Sequence, residues 1–526
     1  MTHATPPDPR LRLLALWGLP GIVVASHLGW LWRDTRMPTD LSLFWAELPA
    51  LAAALSGTGQ VPWDALSAPG GWLQLAMAVV QVVAGPSALL FQLGDVLWVG
   101  ILMVSLTRLV DRAEGPRAAV AVGAVVGLLP ATVVYARMGW LHVPEAALVT
   151  GAAAVWWCAA PGWVRTVVVA GMGALAMALR PSALVWLAPL AVVLVRSRAP
   201  WPIALAWGLG ALPALFDLPA YLDAKLAARD RYTTDVPALL EQLPGLVGGL
   251  GGLLLVVGCM LLAVRARRGR GSPALFVTAL HAATPVGLFL LFRAGLDNFT
   301  QGFVALAVLA GVGLSVSRWT TGLAVGAFAL FTGLQHVPPP PPALSPVVAP
   351  LQLPMQMQLR NAWRPFVGWS ADDLRALLSA TCPDAPCVLA TDRSLARPDG
   401  EEPGQLVLYL LDLDHRVQLV DLRTMGHQLP RHIDVLLRFD CPTLETAWIR
   451  RYPDSLALRA QIVDHFALQD AWVRGLDHQC AIRWMTHHGR LPHAEAAPPG
   501  EHLPRLGPEP SVLEHQRRRP GSGGAP

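Results

Sequence analysis

"LLALWGLPGIVVASHLGWLW", Leu13 to Trp32, contains no Asp, Glu, Lys or Arg. As a helix at about 1.5 Å per residue it reaches roughly 30 Å, the thickness of a bilayer's hydrocarbon core. Arg10 and Arg12 precede it, as basic residues precede a signal peptide. The run is too long for the apolar part of a signal peptide, and no small-x-small cleavage site follows it. The stretch therefore reads as an uncleaved signal anchor, and that reading sets the class of the whole chain.

The rest of the sequence repeats the pattern. Of 526 residues, 53% are hydrophobic and 14% charged, against about 25% charged in an ordinary soluble domain. Mean hydropathy is +0.44. Such a chain is expected to be a polytopic membrane protein. The formal charge of +4 does not point to nucleic acid, because the arginines sit at the ends of apolar runs and form no single basic patch.

The sequence predicts about eleven spans of roughly 16–22 residues. They are placed at 13–32, 88–108, 118–135, 145–160, 164–179, 182–196, 201–216, 246–264, 274–292, 299–316 and 319–335, with 72–84 as a short re-entrant or interfacial helix. Arg108, Arg112, Arg117, Arg165, Arg196, Arg198, the cluster "RARRGRG" (265–271) and Arg318 fall on alternate loops. The positive-inside rule makes those loops cytoplasmic, with the N-terminus. An odd number of spans then sets everything after residue 336 outside the cytoplasmic membrane.

"HVPPPPPALSP" (336–346) reads as a semi-rigid spacer. The predicted organisation is a membrane domain over 1–337, a Pro-rich linker over 338–350, an extracytoplasmic α/β domain over 351–489 and a disordered tail over 490–526. In the α/β domain, "CVLATD" (387–392), "RVQLVDL" (416–422) and "HIDVLLRF" (432–439) read as short buried strands. "SADDLRALLSA" (370–380) and "GQLVLYLLD" (404–412) read as helices. Cys382, Cys387, Cys441 and Cys480 lie there. Four cysteines allow three pairings, and free buried thiols are the alternative. "HQCAIRWMTHHGRLPH" gathers Cys480, His487, His488 and His493, at a spacing that fits no standard zinc pattern.

The charged residues at the outer ends of the spans are the candidates for chemistry. "RMPTDLSLFWAELPA" (36–50) carries Asp40 and Glu47. On an interfacial helix these lie on one wet face but about 10 Å apart, too far for a tight carboxylate pair. "YARMGWLHVPEAALV" (135–149) carries Arg137 and Glu145. "ALRPSALVWLAPL" (178–190) carries the step Arg180-Pro181, and "FRAGLDNFTQGF" (292–303) carries Arg293. Asp95 lies inside the second span, where an acid is costly and faces a cavity or a partner. The outer loop 217–245 mixes charges with Tyr221 and Tyr232. Each has a plain structural alternative. Arginines snorkel at span ends, Arg180-Pro181 makes a tight turn, and Glu145 suits the N-terminal turn of a helix.

Taken in order, these pieces resemble the GT-C superfamily of integral-membrane glycosyltransferases, such as protein mannosyltransferases and the transferase that places aminoarabinose on lipid A. The shared pattern is an acid just past the first span, then a Gly-Pro-Ser segment (85–87 here) before the second. An Arg and an acid follow at the outer ends of the third and fourth spans. A basic-Pro step comes after the fifth span, and a soluble outer domain closes the chain. The resemblance covers roughly residues 10 to 340. It implies a donor sugar on a polyprenyl phosphate, a lipid, glycan or protein acceptor, and no nucleic acid. It implies Asp40 as the catalytic acid and Glu145 as its helper. Arg137, Arg180 and Arg293 are then phosphate-binding residues, and Glu47 and Tyr232 are further substrate-binding residues. The second acid that often adjoins the first is Leu41 here. No fixed cofactor is implied, and a divalent metal stays open. A lipid-linked sugar flippase and a catalytically inactive scaffold are the rival classes.

Overall fold

The computed structural model describes residues 8–28, 48–57, 70–84, 88–129, 131–132, 141–180, 182–198, 201–212, 249–267, 300–334, 371–383, 387–391, 417–421, 429–440, 453–475 and 481–489, with a few isolated positions between them. It is mainly helical with one small sheet. The chain divides into two compact units, residues 1–41 with 51–363, and residues 42–50 with 364–526.

The first unit is built from helices α1 (Pro9–Leu28), α3 (Gly71–Ala84), α4 (Ala88–Glu114), α5 (Pro116–Leu128), α6 (His142–Cys158), α7 (Trp163–Leu179) and α8 (Ala183–Arg196). It continues with α9 (Trp201–Leu212), α10 (Gly249–Arg267), α11 (Thr300–Leu314) and α12 (Arg318–Leu334). A short α2 (Leu48–Leu55) precedes α3 in the chain.

Helix α1 begins earlier than the apolar run. Asp8 caps it by accepting the Arg10 backbone N–H at 2.9 Å, and Pro9 takes the first helical position, where its missing N–H costs nothing. A π-helical stretch, Leu14–Gly18, precedes Pro20. A proline cannot bond back one turn, and a local π-bulge is one way a helix absorbs that loss.

The helices expected for the eleven spans are seen in part. Each expected stretch that falls within the described residues is helical, and among the described residues Pro9–Leu28 and Gly249–Arg267 are the helices both long and apolar enough to cross a membrane. The helix expected over 118–135 shows why others are shorter. Pro130 forces the residue before it out of helical geometry. Leu129 is extended (φ −78°, ψ 122°), and Thr132 Oγ1 bonds to the carbonyls of Val126 (2.6 Å) and Leu129 (2.8 Å). At 13 residues, α5 is about 20 Å long. The expected span 274–292 lies mostly outside the described residues.

Every residue of α5 from Ala118 to Leu128 is buried, so α5 is the central strut. Its small Ala, Gly and Val residues let α1, α4, α10, α11 and α12 pack around it. Helices α10 and α11 approach closely: a Cβ on Gly258 would collide with the Ala310 carbonyl. A Cβ on Gly127 would meet the Phe328 ring.

These contacts fix the direction of each helix. Gly251 of α10 lies beside Leu128 and Leu129, at the end of α5, while Arg265 reaches Glu114, just before α5 starts. Thus α10 runs antiparallel to α5. Gly258 meets α11 at Ala310 and Gly313. Phe328, ten residues into α12, meets Gly127 near the end of α5. Helix α12 therefore runs with α5, and α11, which precedes it by a tight turn, runs against it. Thr300 at the start of α11 lies at the end of the bundle where α5 stops and α6 begins.

One end of this unit is rich in arginine. Arg12 pairs with Asp111 (3.0 Å) and Arg265 with Glu114 (2.7 Å). The Arg165 guanidinium lies 4.2 Å from the centre of the Trp156 ring. The outward faces are apolar: Val164 and Val167 on α7, Leu205 and Leu209 on α9, and Leu253, Val256 and Met260 on α10 are all more than half exposed.

The second unit holds α13 (Ala371–Thr381), β1 (Cys387–Thr391), β2 (Val417–Asp421), β3 (Val435–Asp440), α14 (Pro453–His465), β4 (Gln469–Gly475) and β5 (Ala481–Thr486). The sheet order is β2-β1-β3-β5-β4. Strand β1 is parallel to β2 and β3, and β5 is antiparallel to β3 and β4. The expected strands and the first expected helix coincide with β1, β2, β3 and α13. The helix expected over 404–412 lies outside the described residues. Ala390, Leu436 and Met485 from the sheet pack with Leu458 and Ile462 from α14 in one core. Trp484 is fully buried, and its indole N–H donates to Thr381 Oγ1 at 3.0 Å, which ties α13 to β5.

Candidate active site

Pro181 shapes the site locally. It forces Arg180 into extended geometry (φ −153°, ψ 141°), so α7 stops at Leu179. Ser182 then opens α8. The tight turn is real, and it carries the Arg180 side chain back toward the first turn of α6, where Glu145 sits.

Glu145 is buried, with its side chain 1% exposed against 16% for Arg180. Glu145 Oε2 lies 3.3 Å from Arg180 Nη1. Glu145 Oε1 accepts a hydrogen bond from Ser182 Oγ at 2.6 Å. Arg180 Nη1 also donates to His142 Nδ1. Two expected residues, Glu145 and Arg180, are therefore in direct contact although 35 residues apart in the chain. A buried acid survives only when paired and hydrogen-bonded, and both of its oxygens are engaged. The helix N-terminus adds a favourable dipole for the carboxylate.

Sequence reasoning missed Ser182 and His142. His142 precedes Glu145 by three residues, which sets both on one face of α6. Ser182 follows the Arg-Pro step directly. Both signals were present in the spacing.

A third element reaches the same end. Gly70, at φ +85°, donates its N–H to the Ala178 carbonyl at 2.8 Å, anchoring the start of α3 beside the end of α7. That positive φ is one only glycine adopts cheaply. On α3, Gln74 is 4% exposed. Its Oε1 and the Trp72 Nε1 are buried with no hydrogen-bond partner. At the start of α11, Thr300 (1% exposed) and Gln301 (8% exposed) are buried, and Thr300 Oγ1 and Gln301 Nε2 are likewise unpartnered.

The remaining expected site residues, Asp40, Glu47, Arg137, Tyr232 and Arg293, lie outside the described residues, as does the side chain of Asp95. In the second unit, Cys382 and Cys387 form a disulfide with Cα atoms 5.7 Å apart; Cys441 and Cys480 lie outside the described residues. Asp434 stands beside the two sulfurs. Its Oδ2 accepts the Val388 N–H and its Oδ1 contacts His432 Nε2, each at 2.8 Å. With its sulfurs bonded to each other the cluster is a structural staple. His487 is also structural: Nδ1 is 2.9 Å from the Phe466 carbonyl and Nε2 2.7 Å from the Ile433 carbonyl. Neither nitrogen is left for a metal.

The chain matches no protein-family model, no curated protein and no solved structure.

Proposed function

We propose that this chain is a multi-pass glycosyltransferase of the cytoplasmic membrane. It moves a sugar from a polyprenyl-phosphate donor to an acceptor at the outer face, with inversion. The observation that carries this reading is the buried cluster Glu145, Arg180, Ser182 and His142. It lies at the end of the bundle opposite the arginine-rich end. A soluble bundle has no use for so much outward-facing Val, Leu and Met, and small residues at tight helix crossings are characteristic of membrane packing. By the positive-inside rule the arginine end faces the cytoplasm, which makes the Glu145 end the outer one.

In this reading the acceptor hydroxyl attacks the anomeric carbon of the donor. The bond from that carbon to the phosphate oxygen breaks, its electrons pass to the phosphate, and the hydroxyl proton passes to Asp40. Arg180 supplies fixed positive charge near the developing phosphate charge. Glu145, with its oxygens engaged by Ser182 and Arg180, is the helper that holds Arg180 in position.

The test is to supply radiolabelled polyprenyl-phosphate sugar to the full chain in vesicles. Label appearing on an acceptor supports the transferase. Label crossing the bilayer without transfer replaces it with the flippase, and bound label that neither moves nor transfers replaces it with the scaffold.

A further inference from the structure

We infer that Cys382, Cys387 and Asp434 form a binding site for a soft divalent cation, zinc above all, in the dithiol state of the second unit, and that the disulfide is the closed state of that site. The inference is independent of the transferase reading.

Cys382 follows α13 directly and Cys387 opens β1. Each element is held by contacts other than the disulfide. Trp484 Nε1 donates to Thr381, beside Cys382, and β1 is paired on both sides, with β2 and β3. Asp434 is fixed against Val388. Its N–H donates to the Val388 carbonyl at 3.0 Å, and its Oδ2 accepts the Val388 N–H at 2.8 Å. Two sulfurs and a carboxylate oxygen therefore converge within 4.8 Å of one another, on elements that reduction leaves anchored. Both cysteines are buried, and the Asp434 side chain is 29% exposed, which leaves a way in for a cation.

A staple has no use for this acid. A disulfide is neutral, and loop closure gains least when, as here, the cysteines are five residues apart. Two thiolates beside a carboxylate are different: they are three negative groups that a cation holds together. Zinc binds thiolate at about 2.3 Å and carboxylate at about 2.0–2.2 Å, so in a tetrahedral site these ligand atoms lie about 3.5–3.8 Å apart. A small adjustment brings the three groups to that spread. The spacing Cys-x4-Cys is one that zinc sites use, and thiolates select zinc over magnesium or calcium. Water takes the fourth position. His432 Nε2, 2.8 Å from Asp434 Oδ1, orients the carboxylate as its outer partner.

Oxidation empties the site. A small-molecule disulfide accepts two electrons from the two bound thiolates. Their sulfurs join, the cation leaves, and two protons from water complete the two thiols released from the oxidant.

The experiment uses the full chain in detergent, reduced with a water-soluble phosphine, freed of it under anaerobic conditions and titrated with Co2+. The reduced chain is expected to show the near-ultraviolet thiolate-to-cobalt band and the visible bands of a tetrahedral ion. Zinc should displace the cobalt, and the oxidised chain should show neither band. Cys382→Ser should abolish the bands. Asp434→Asn keeps an acceptor for the Val388 N–H but removes the charge, and His432→Ala removes the outer partner. Each should weaken cobalt binding roughly 10- to 100-fold. A reduced wild-type chain that takes up no cobalt overturns the inference. Bands that survive Cys382→Ser belong to other cysteines and overturn it too, as does equal affinity in the Asp434→Asn chain.

Discussion

Removing both members of the buried pair should cost less than the sum of removing each alone. At 3.3 Å and an effective dielectric of about 20, the attraction between Arg180 and Glu145 is about 5 kcal/mol. Arg180→Met leaves a carboxylate buried with only Ser182 for support, a loss of about 3–5 kcal/mol. Glu145→Gln removes the charged partner of the guanidinium, which keeps its contact to His142, and should cost about 2–4 kcal/mol by the same argument. The double variant strands neither charge. Its cost should therefore fall short of the sum by at least about 2 kcal/mol, a coupling expected of residues in contact. Ser182→Ala, which removes a hydrogen bond to a charged group, should cost about 1.5–3 kcal/mol. Mixed-micelle denaturation of the purified chain, followed by tryptophan fluorescence, measures each value. Effects of the two single substitutions that add to within about 0.5 kcal/mol would refute the pair as described.

The glycines of the bundle divide sharply. Gly258→Val drives a side chain into the Ala310 backbone and should cost at least about 3 kcal/mol. Gly322→Ala and Gly326→Ala on α12 meet nothing within 4 Å and should be neutral or gain up to about 1 kcal/mol from helix propensity; thermal unfolding in detergent distinguishes these outcomes. The Cys382–Cys387 bridge closes a short loop, so Cys382→Ser should lower the stability of the second unit by about 2 kcal/mol. Alkylation before and after reduction, read by mass spectrometry, should show both thiols protected only before it. His487→Ala removes contacts to the Phe466 and Ile433 carbonyls and should cost about 1–3 kcal/mol, with no change in zinc content by elemental analysis.

Much of the helical unit was legible because charge is so scarce in it. In an apolar chain each Arg or acid stands out, and the step Arg180-Pro181 marks both a helix end and a charge that needs a partner. Pairing it with Glu145 required the order of the elements, which spacing alone does not supply. The extents of the helices were less legible. A run of apolar residues says where a helix can form, but Pro130 ends α5 well before the run ends. Neutral polar residues such as Gln74, Thr300 and Gln301 carried no visible signal, since their importance comes from burial without a partner. In the second unit, β1, β2 and β3 read as apolar runs. Strand β4, "QDAWVRG" (469–475), mixes charge with apolar residues at an edge of the sheet. Strand β5, "AIRWMT" (481–486), has Arg483 interrupting its apolar run. Asp40 rests on the resemblance to a family pattern and lies outside the described residues.

The most direct test of the transferase is single-turnover transfer from radiolabelled polyprenyl-phosphate sugar by the full chain in nanodiscs, wild type against Asp40→Asn. The account predicts labelled acceptor with wild type and none with Asp40→Asn, both proteins being folded and inserted. Equal transfer by the two would contradict Asp40 as the base. No transfer by the wild type from any polyprenyl-phosphate donor would contradict the enzyme itself.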